Sequence, residues 1–566
     1  MNLIESFLHV PRIAYFSMEI ALRSEIPTYA GGLGILAGDT LRTAADLNMN
    51  MVAVSLVSRA GYFRQTIDAA GQQNEAPQLW EPAQWATRMG AMVSIDLLDR
   101  MVWVSGWLYV LESPAGGRQP VILLDTDLME NQAEDRLITH YLYGGDDRYR
   151  LQQEAILGIA GVRMLQALGF QVREYHLNEG HSALLGIELL RRYAFPLEEV
   201  RQDESPYDIL SVRQLCNFTT HTPIDAGHDK FPYALVDEVL GPIIDKPLMQ
   251  RLGGGDRLNM TLLALNLSEY VNGVAVRHAE ISAKMFPGYH MRAVTNGVHP
   301  RTWTHDSFAK LYNRYLPGWC REPEILVRAD HAIPDAAIWQ AHQDAKNALF
   351  RHIIEVDGSH IDPDIATIGF ARRMTAYKRP DLLFMDPDRL ISIAQRHPFQ
   401  LVIAGKAHPR DETGKALIAW VHSMVQQLKE SIPIVFLPDY QMDLAKMLVA
   451  GVDIWLNTPL RPLEASGTSG MKATLNGVPN LSILDGWWIE GCIEGITGWA
   501  IGDDPDASTE NDAASLYQKL ETVVLPLFYG DRSAWIGVMK GAISKNASYF
   551  NSHRMMRRYA VEAYMQ

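Results

Sequence analysis

Cysteine is scarce in this 566-residue chain: Cys216, Cys320 and Cys492 lie far apart and form no CxxC pair. That spacing excludes a disulfide framework and a cysteine-rich zinc site, and predicts buried thiols in a reducing compartment. Uninterrupted apolar runs of roughly 18 residues are missing, so no helical membrane span is expected. The stretch from Met1 to His9 lacks a basic n-region and a long apolar core, which makes the cytoplasm the default location. Basic residues are outnumbered, 51 Lys and Arg against 66 Asp and Glu, for a formal charge of −15. A general nucleic-acid or anionic-membrane surface is thereby excluded, and any anion must bind at a local site. Low-complexity tracts and solenoid-period repeats are absent as well.

What is present fits a large, enzyme-sized α/β globule. The length exceeds what one core supports, and 47% hydrophobic content suffices for several. From about residue 365, short apolar runs (365–370, 399–404, 432–437, 453–456, 480–484) alternate with helical windows (381–395, 413–428, 442–448). Continuous apolar strands between helices predict a parallel sheet covered on both faces, a doubly wound domain. The first half alternates too: strands at 13–17, 174–177 and 217–220, a glycine-rich turn at 28–34 and a helix at 35–47. A second helix over 147–168 places Ala155, Ile159, Val162 and Leu165 on one face. Residues 72–127 suggest antiparallel strands. Turn chemistry at 296–300 marks a boundary, giving an expected division of 1–300, 301–540 and a helical 541–566. Loops from both halves should meet beyond the carboxyl ends of the strands, where open α/β sheets bind ligands.

Four segments carry chemistry. In Glu464-Ala-Ser-Gly-Thr-Ser-Gly-Met-Lys472-Ala-Thr-Leu-Asn-Gly477, a small-residue loop opens a helix. Gly467 and Gly470 permit close backbone approach, Ser466, Thr468 and Ser469 add hydroxyls, and the helix N–H groups face an anion. An amine beside such a cradle suits a phosphate-bearing aldehyde cofactor, one end forming a Schiff base while the other is neutralised. Phe370-Ala-Arg372-Arg373-Met-Thr-Ala-Tyr377-Lys378-Arg379-Pro380 ends a strand with four cations in eight residues, a positive pole suited to phosphate oxygens. Tyr29-Ala-Gly31-Gly32-Leu33-Gly34 is a strand-to-helix glycine turn without the spacing of a nucleotide loop. His221 ends a strand in Phe218-Thr-Thr-His221-Thr-Pro, and Asn296 and Trp303 flank the turn before a helix.

These segments resemble the α-glucan (glycogen, starch and maltodextrin) phosphorylases, whose cofactor lysine lies in E-A-S-G-T-x-x-M-K-x-x-L-N-G and whose phosphate site contains K/R-R-x-x-x-Y-K-R. The matches run from residue 15 to about 490, and the length is similar to the short bacterial form. The resemblance implies a GT-B fold, two doubly wound Rossmann-like domains facing across a cleft, with a final helix crossing back to the first domain. It implies retaining phosphorolysis of α-1,4-glucans by orthophosphate to α-D-glucose 1-phosphate, with pyridoxal 5'-phosphate tied to Lys472 and its phosphate relaying a proton. Carried over by position, Arg372, Thr468 and Ser469 would meet the cofactor phosphate, and Trp303 and Tyr440 would lie in the cofactor pocket. Arg373 and Lys378 would bind the substrate phosphate, with Gly31 and Gly32 presenting backbone N–H groups. His221, Asn296, Glu464, Ser466 and Gly467 would contact the glucosyl unit, and Asn178-Glu179-Gly180-His181 the acceptor side. Departures occur at Ala21, where long members have tyrosine, at Gln441, where they have arginine, and at Arg372, where the best-known members have lysine. No metal, nucleic acid or membrane partner is implied, and oligomeric state is left open, a homo-oligomer included. Two rivals are a nucleotide-sugar glucosyltransferase similar to glycogen synthase and a non-catalytic glucan-binding protein. The first needs a second glutamate eight positions after Glu464, where this chain has Lys472; the second predicts loss of the lysine or the cations.

Overall fold

Two six-residue strands, Arg12–Ser17 and Ala366–Ala371, bury every side chain. Strands of that kind need cover on both faces, and each stands inside its own sheet with helices packed around it. In the computed structural model, residues 4–565 are described except 197, 199, 201–204, 360 and 503–506. Residues 1–3, within the Met1–His9 stretch read above, and residue 566 of the 541–566 span therefore lie outside the described residues.

The first sheet has nine strands, in the order Arg292–Ala293, Tyr270–Gly273, Cys216–Thr219, Val172–Asn178, Arg12–Ser17, Met51–Leu56, Arg118–Asp125, Arg100–Glu112, Thr87–Leu97. The first seven run parallel, and the last two are added antiparallel. The second sheet is wholly parallel, in the order Ile434–Leu437, Phe399–Ala404, Ala366–Ala371, Ile454–Asn457, Asn480–Ile483, Gly498–Ile501. In each sheet the earliest strand is internal and the order reverses around it. The carboxyl ends of Arg12–Ser17 and Ala366–Ala371 are thus topological switch points, where a crevice opens between diverging connections.

Helix Gly32–Asp46 follows the first strand and buries a nearly continuous face from Gly34 to Leu41. The predicted helix at 147–168 forms as Asp147–Ala155 and Gly161–Ala167 joined by a π-helical turn, Ile156–Ala160. The span 541–566 is not one helix: a π-helical turn, Ala542–Ala547, stops and the chain re-enters helix at Ser552–Glu562. The break lets the backbone pair with 298, Val298 donating to the Phe550 carbonyl at 3.2 Å and Ser552 to the Val298 carbonyl at 2.9 Å. Gly297 is needed there, because a Cβ would lie 2.2 Å from the Asn551 backbone. The last helix then lies across the first sheet. Asn272 donates to the Tyr559 hydroxyl at 3.0 Å, and Tyr564 bonds His176 at 2.6 Å.

An antiparallel hairpin, Arg64–Ile67 with Gln73–Ala76, leaves the first-sheet half and rests on the second. Gln65 and Gln73 act there as strand mimics, each offering an amide to backbone. Gln65 donates to the Gly405 carbonyl (2.9 Å) and accepts from the Asp439 N–H (2.8 Å). Gln73 donates to and accepts from Ala407, both at 3.0 Å. Among the described residues no helix is long and apolar enough to cross a membrane. Cys216 is buried, Cys320 and Cys492 are partly so, and all three are free.

Candidate active site

The crevice between the carboxyl ends of the two sheets is a cavity of about 500 Å³. From the first-sheet side Gly31, Gly32, His221 and Asn296 line it, with Trp303 from the segment that leads into the second half. From the second-sheet side come Arg372, Arg373, Lys378 and Tyr440, then the run Glu464, Ser466, Gly467, Thr468, Ser469 and, one helical turn on, Lys472. These residues face one space, whereas Arg379, Gly470 and the segment Asn178-Glu179-Gly180-His181, also singled out from the sequence, do not line it.

Glu464 is the hub of its polar wall. One carboxylate oxygen accepts from both Arg372 Nη2 and Lys378 Nζ, each at 2.5 Å, in a site where all three side chains are buried. Burial alone would raise the Glu464 carboxyl, but the two cations outweigh it and hold the group at about 2. One anion facing two cations leaves positive charge unspent. Arg372 keeps Nε and Nη1 buried without partners, donors that await an acceptor. Arg373 stands exposed on the cavity wall, and Lys406 enters it from an ion pair with Asp439 at 2.6 Å.

Lys472 sits on the short helix Thr468–Thr474, whose N-cap Gly467 adopts φ 82°, a left-handed conformation that favours glycine. Its amine is buried and rests 4.0 Å above the centre of the Trp303 ring. Burial lowers the amine to about 8, with Asp39 acting in the opposite direction. Ser469 Oγ accepts from Trp455 Nε1 at 3.1 Å, while the buried Ser466 hydroxyl has no partner.

On the opposite wall, His221 is held by the segment after strand Val172–Asn178. Its Nε2–H donates to Asn178 Oδ1 at 2.7 Å, and its backbone N–H to Glu179 at 2.6 Å. Glu179 takes φ 72°, a costly conformation for a non-glycine residue, secured by further donors from Gly180 (3.1 Å) and the Thr222 hydroxyl (3.1 Å). Burial drives the His221 imidazole well below its usual range, so it is neutral. Asn296 contributes a buried Oδ1 with no partner. His181 sits off the cavity wall, 3.6 Å from Asp229.

Some expectations are corrected. Of the four cations after strand Ala366–Ala371, Arg379 turns away to pair with Asp512 (2.7 Å) and to cap the Thr458 and Pro459 carbonyls. Gly470 serves packing rather than a ligand, since a Cβ there would meet Asn480 at 2.3 Å. The Gly31 N–H is already engaged: Glu19 accepts from Ala30 (2.5 Å) and Gly31 (3.0 Å). A Cβ on Gly31 or Gly32 would meet nothing within 4 Å, so these positions keep open space at the cavity wall. Glu19, Asp39 and Asp485 were not singled out from the sequence. For Asp39 a signal exists, an acid inside the apolar run Ile35-Leu-Ala-Gly-Asp39-Thr-Leu41.

An α/β enzyme with a neutral histidine and an unpaired amide on one wall, and surplus cations and a buried amine on the other, is built to join an anion to a polyhydroxylated substrate. Comparison with known proteins agrees. Residues 247–495 match the model of the carbohydrate phosphorylase family. Maltodextrin phosphorylase of Thermococcus litoralis is 39% identical over 98% of this chain and 70% of its own. Glycogen phosphorylase of Mycobacterium tuberculosis is 36% identical over 98% and 70%, and that of Aquifex aeolicus 35% over 98% and 86%. The chain belongs to the carbohydrate phosphorylase family and is a glycosyltransferase of the phosphorylase type.

Proposed function

We propose that this protein phosphorolyses α-1,4-glucans with retention, using pyridoxal 5'-phosphate bound through Lys472. Orthophosphate oxygen forms a bond to the anomeric carbon of the non-reducing end, the glycosidic bond breaks, and the departing glucan oxygen takes a proton. The products are α-D-glucose 1-phosphate and a glucan one unit shorter. The observation that carries this reading is the convergence, in one cavity, of a buried lysine amine and an arginine with two unsatisfied nitrogens. The names of the similar relatives, maltodextrin and glycogen phosphorylases, support the substrate class.

The residues present fit the cofactor. Lys472 would hold its aldehyde end, Trp303 and Tyr440 would flank the ring, and Arg372, Thr468 and Ser469 would hold its phosphate. When bound there, pyridoxal phosphate supplies an acid–base group with a second pKa of about 6, suited to proton exchange near neutrality. Arg373 and Lys378 neutralise the substrate phosphate, which two adjacent dianions require if they are to share a site. Gly31 and Gly32 leave open space for that anion at the cavity wall, with the Gly31 N–H held by Glu19. Asn296, Glu464, Ser466 and Gly467 fix the sugar hydroxyls, and the His221 carbonyl faces the positive charge that develops at the anomeric carbon. In this reading residues 1–300 and 301–540 are the two domains of a GT-B fold, with 541–566 returning to the first. The three free thiols suit a cytoplasmic enzyme.

Phosphate release from glucose 1-phosphate, assayed with maltooligosaccharides of graded length, tests the reaction and sets the preferred chain length. Borohydride treatment of the purified protein should fix a label on Lys472. Lys472→Ala should carry none and lose activity by at least about a thousandfold. Phosphorolysis retained in that variant overturns the reading.

A further inference from the structure

The Lys472 amine belongs to the second-sheet half, but the carboxylate behind the indole beneath it comes from the first. Trp303, whose ring carries the amine, donates its indole Nε1–H to Asp39 Oδ2 at 2.7 Å. The same oxygen accepts the His299 backbone N–H at 3.1 Å. Asp39 Oδ1 meets Arg42 Nη1 at 3.4 Å, and Arg42 is anchored by the Ala21 and Leu22 carbonyls at 2.9 and 2.8 Å. Asp39 is 1% exposed, in the middle of the buried face of helix Gly32–Asp46. Nothing in helix packing asks for a carboxylate at that position. An unneutralised buried charge is costly, and Arg42 at 3.4 Å neutralises this one only in part.

We propose that Asp39 is a positioning residue for the lysine site: it fixes the Trp303 indole beneath the Lys472 amine and supplies the buried negative charge that the amine faces. The first role follows from the hydrogen bonds. The second follows from placement: amine and carboxylate contact the same indole, the amine 4.0 Å over its ring and the carboxylate 2.7 Å from its nitrogen, so the negative charge of Asp39 opposes the effect of burial on Lys472. The other charged and titratable groups around Asp39 are Arg42 on its own helix and His299 on the following turn. His299 bonds Asp46 through its Nε2 at 2.9 Å, and burial lowers its imidazole below the usual range, so it brings no cation to Asp39. Arg42, at Oδ1, and Lys472, over the indole bonded to Oδ2, are therefore two cations that feel the charge of Asp39. The proposal rests on Lys472 being the functional amine. It adds that the first-sheet half, through one carboxylate, sets how readily that amine gives up its proton.

The test uses full-length protein freed of carbonyl compounds with hydroxylamine. Trace acetic anhydride labels amines competitively between pH 6 and 11, and peptide mass spectrometry reads the titration midpoint of Lys472. In the wild type it should fall near 8. Asp39→Asn keeps an acceptor for the indole but removes the charge, and should lower the midpoint by at least about one pH unit. Arg42→Gln leaves the carboxylate less neutralised and should raise the midpoint. Opposite shifts are not expected from general loosening of the fold, and Arg42→Gln keeps the test available where Asp39→Asn does not fold. An unmoved midpoint in either variant, or shifts of the same sign, overturns the proposal. A parallel borohydride reduction of untreated protein separates the two claims. Absence of label on Lys472 sinks the cofactor reading, whereas label on Lys472 with an unmoved midpoint sinks only the role of Asp39.

Discussion

Asp485 shows how a single buried carboxyl registers pH beside the anion hub. It accepts the Glu464 N–H at 2.8 Å and the Gly486 N–H at 2.9 Å, yet burial raises it from 3.8 to about 6, with the neighbouring Glu464 charge adding to the shift against those bonds. A carboxyl raised in the folded state stabilises fully below its unfolded value and loses that contribution as pH climbs through the folded one. Between pH 3.8 and about 6, Asp485 should therefore withdraw on the order of 3 kcal/mol, about two units at roughly 1.4 kcal/mol each. Glu464 shifts the opposite way, its contribution lost only as pH falls from 4.5 toward about 2, so it stays constant above pH 5. Urea midpoints of wild type and Asp485→Asn at pH 4.5 to 7.5 should show a fall in the first and a flatter line in the second. Parallel lines would remove Asp485 from the account. At this scale much was legible: the lysine loop, the glycine turn and the cations at a strand end are local patterns with local causes. What stayed hidden was pairing at a distance. Arg379 reads as one more phosphate ligand until Asp512, 133 positions away, is found to hold it.

Among elements, parallel strands framed by helices were readable because an apolar run of five or six residues covered on both sides leaves little choice. The strand Gly498–Ile501 was not: four residues after a glycine turn carry too short a pattern, and only the sheet edge formed by Asn480–Ile483 defines it. The hairpin Arg64–Ala76 was equally opaque, since its polar side chains serve the opposite half of the molecule. Each glutamine in it satisfies buried backbone groups that would otherwise be unpaired, at about 1 kcal/mol or more per bond. The double variant Gln65→Ala/Gln73→Ala should lower stability by several kcal/mol. It should also raise deuterium uptake at 405–407 and 439 while leaving strands 51–56 and 118–125 protected. Uptake unchanged at 405–407 would mean that the hairpin merely lies against that surface.

Over the whole molecule, the −15 charge and the cationic crevice are complementary statements: the net field discourages anions, whereas Arg372, Arg373 and Lys378 gather to receive one. The second organising contact is the helix Ser552–Glu562 lying on the first sheet. Its Tyr559 hydroxyl accepts from Asn272 at 3.0 Å and shares a 3.2 Å bond with Thr219. Tyr559→Phe should cost about 1–3 kcal/mol, the penalty for stranding buried partners, measured by denaturant unfolding. A change below 0.5 kcal/mol would show that packing alone fixes this helix.

That same return of the chain has a bearing on biosynthesis. Residues 552–564, which cover His176 and Thr219, leave the ribosome roughly 540 positions after the strand at the centre of that sheet. Until they emerge, the nascent polypeptide carries an uncovered sheet face, so the part translated first is among the last to be completed.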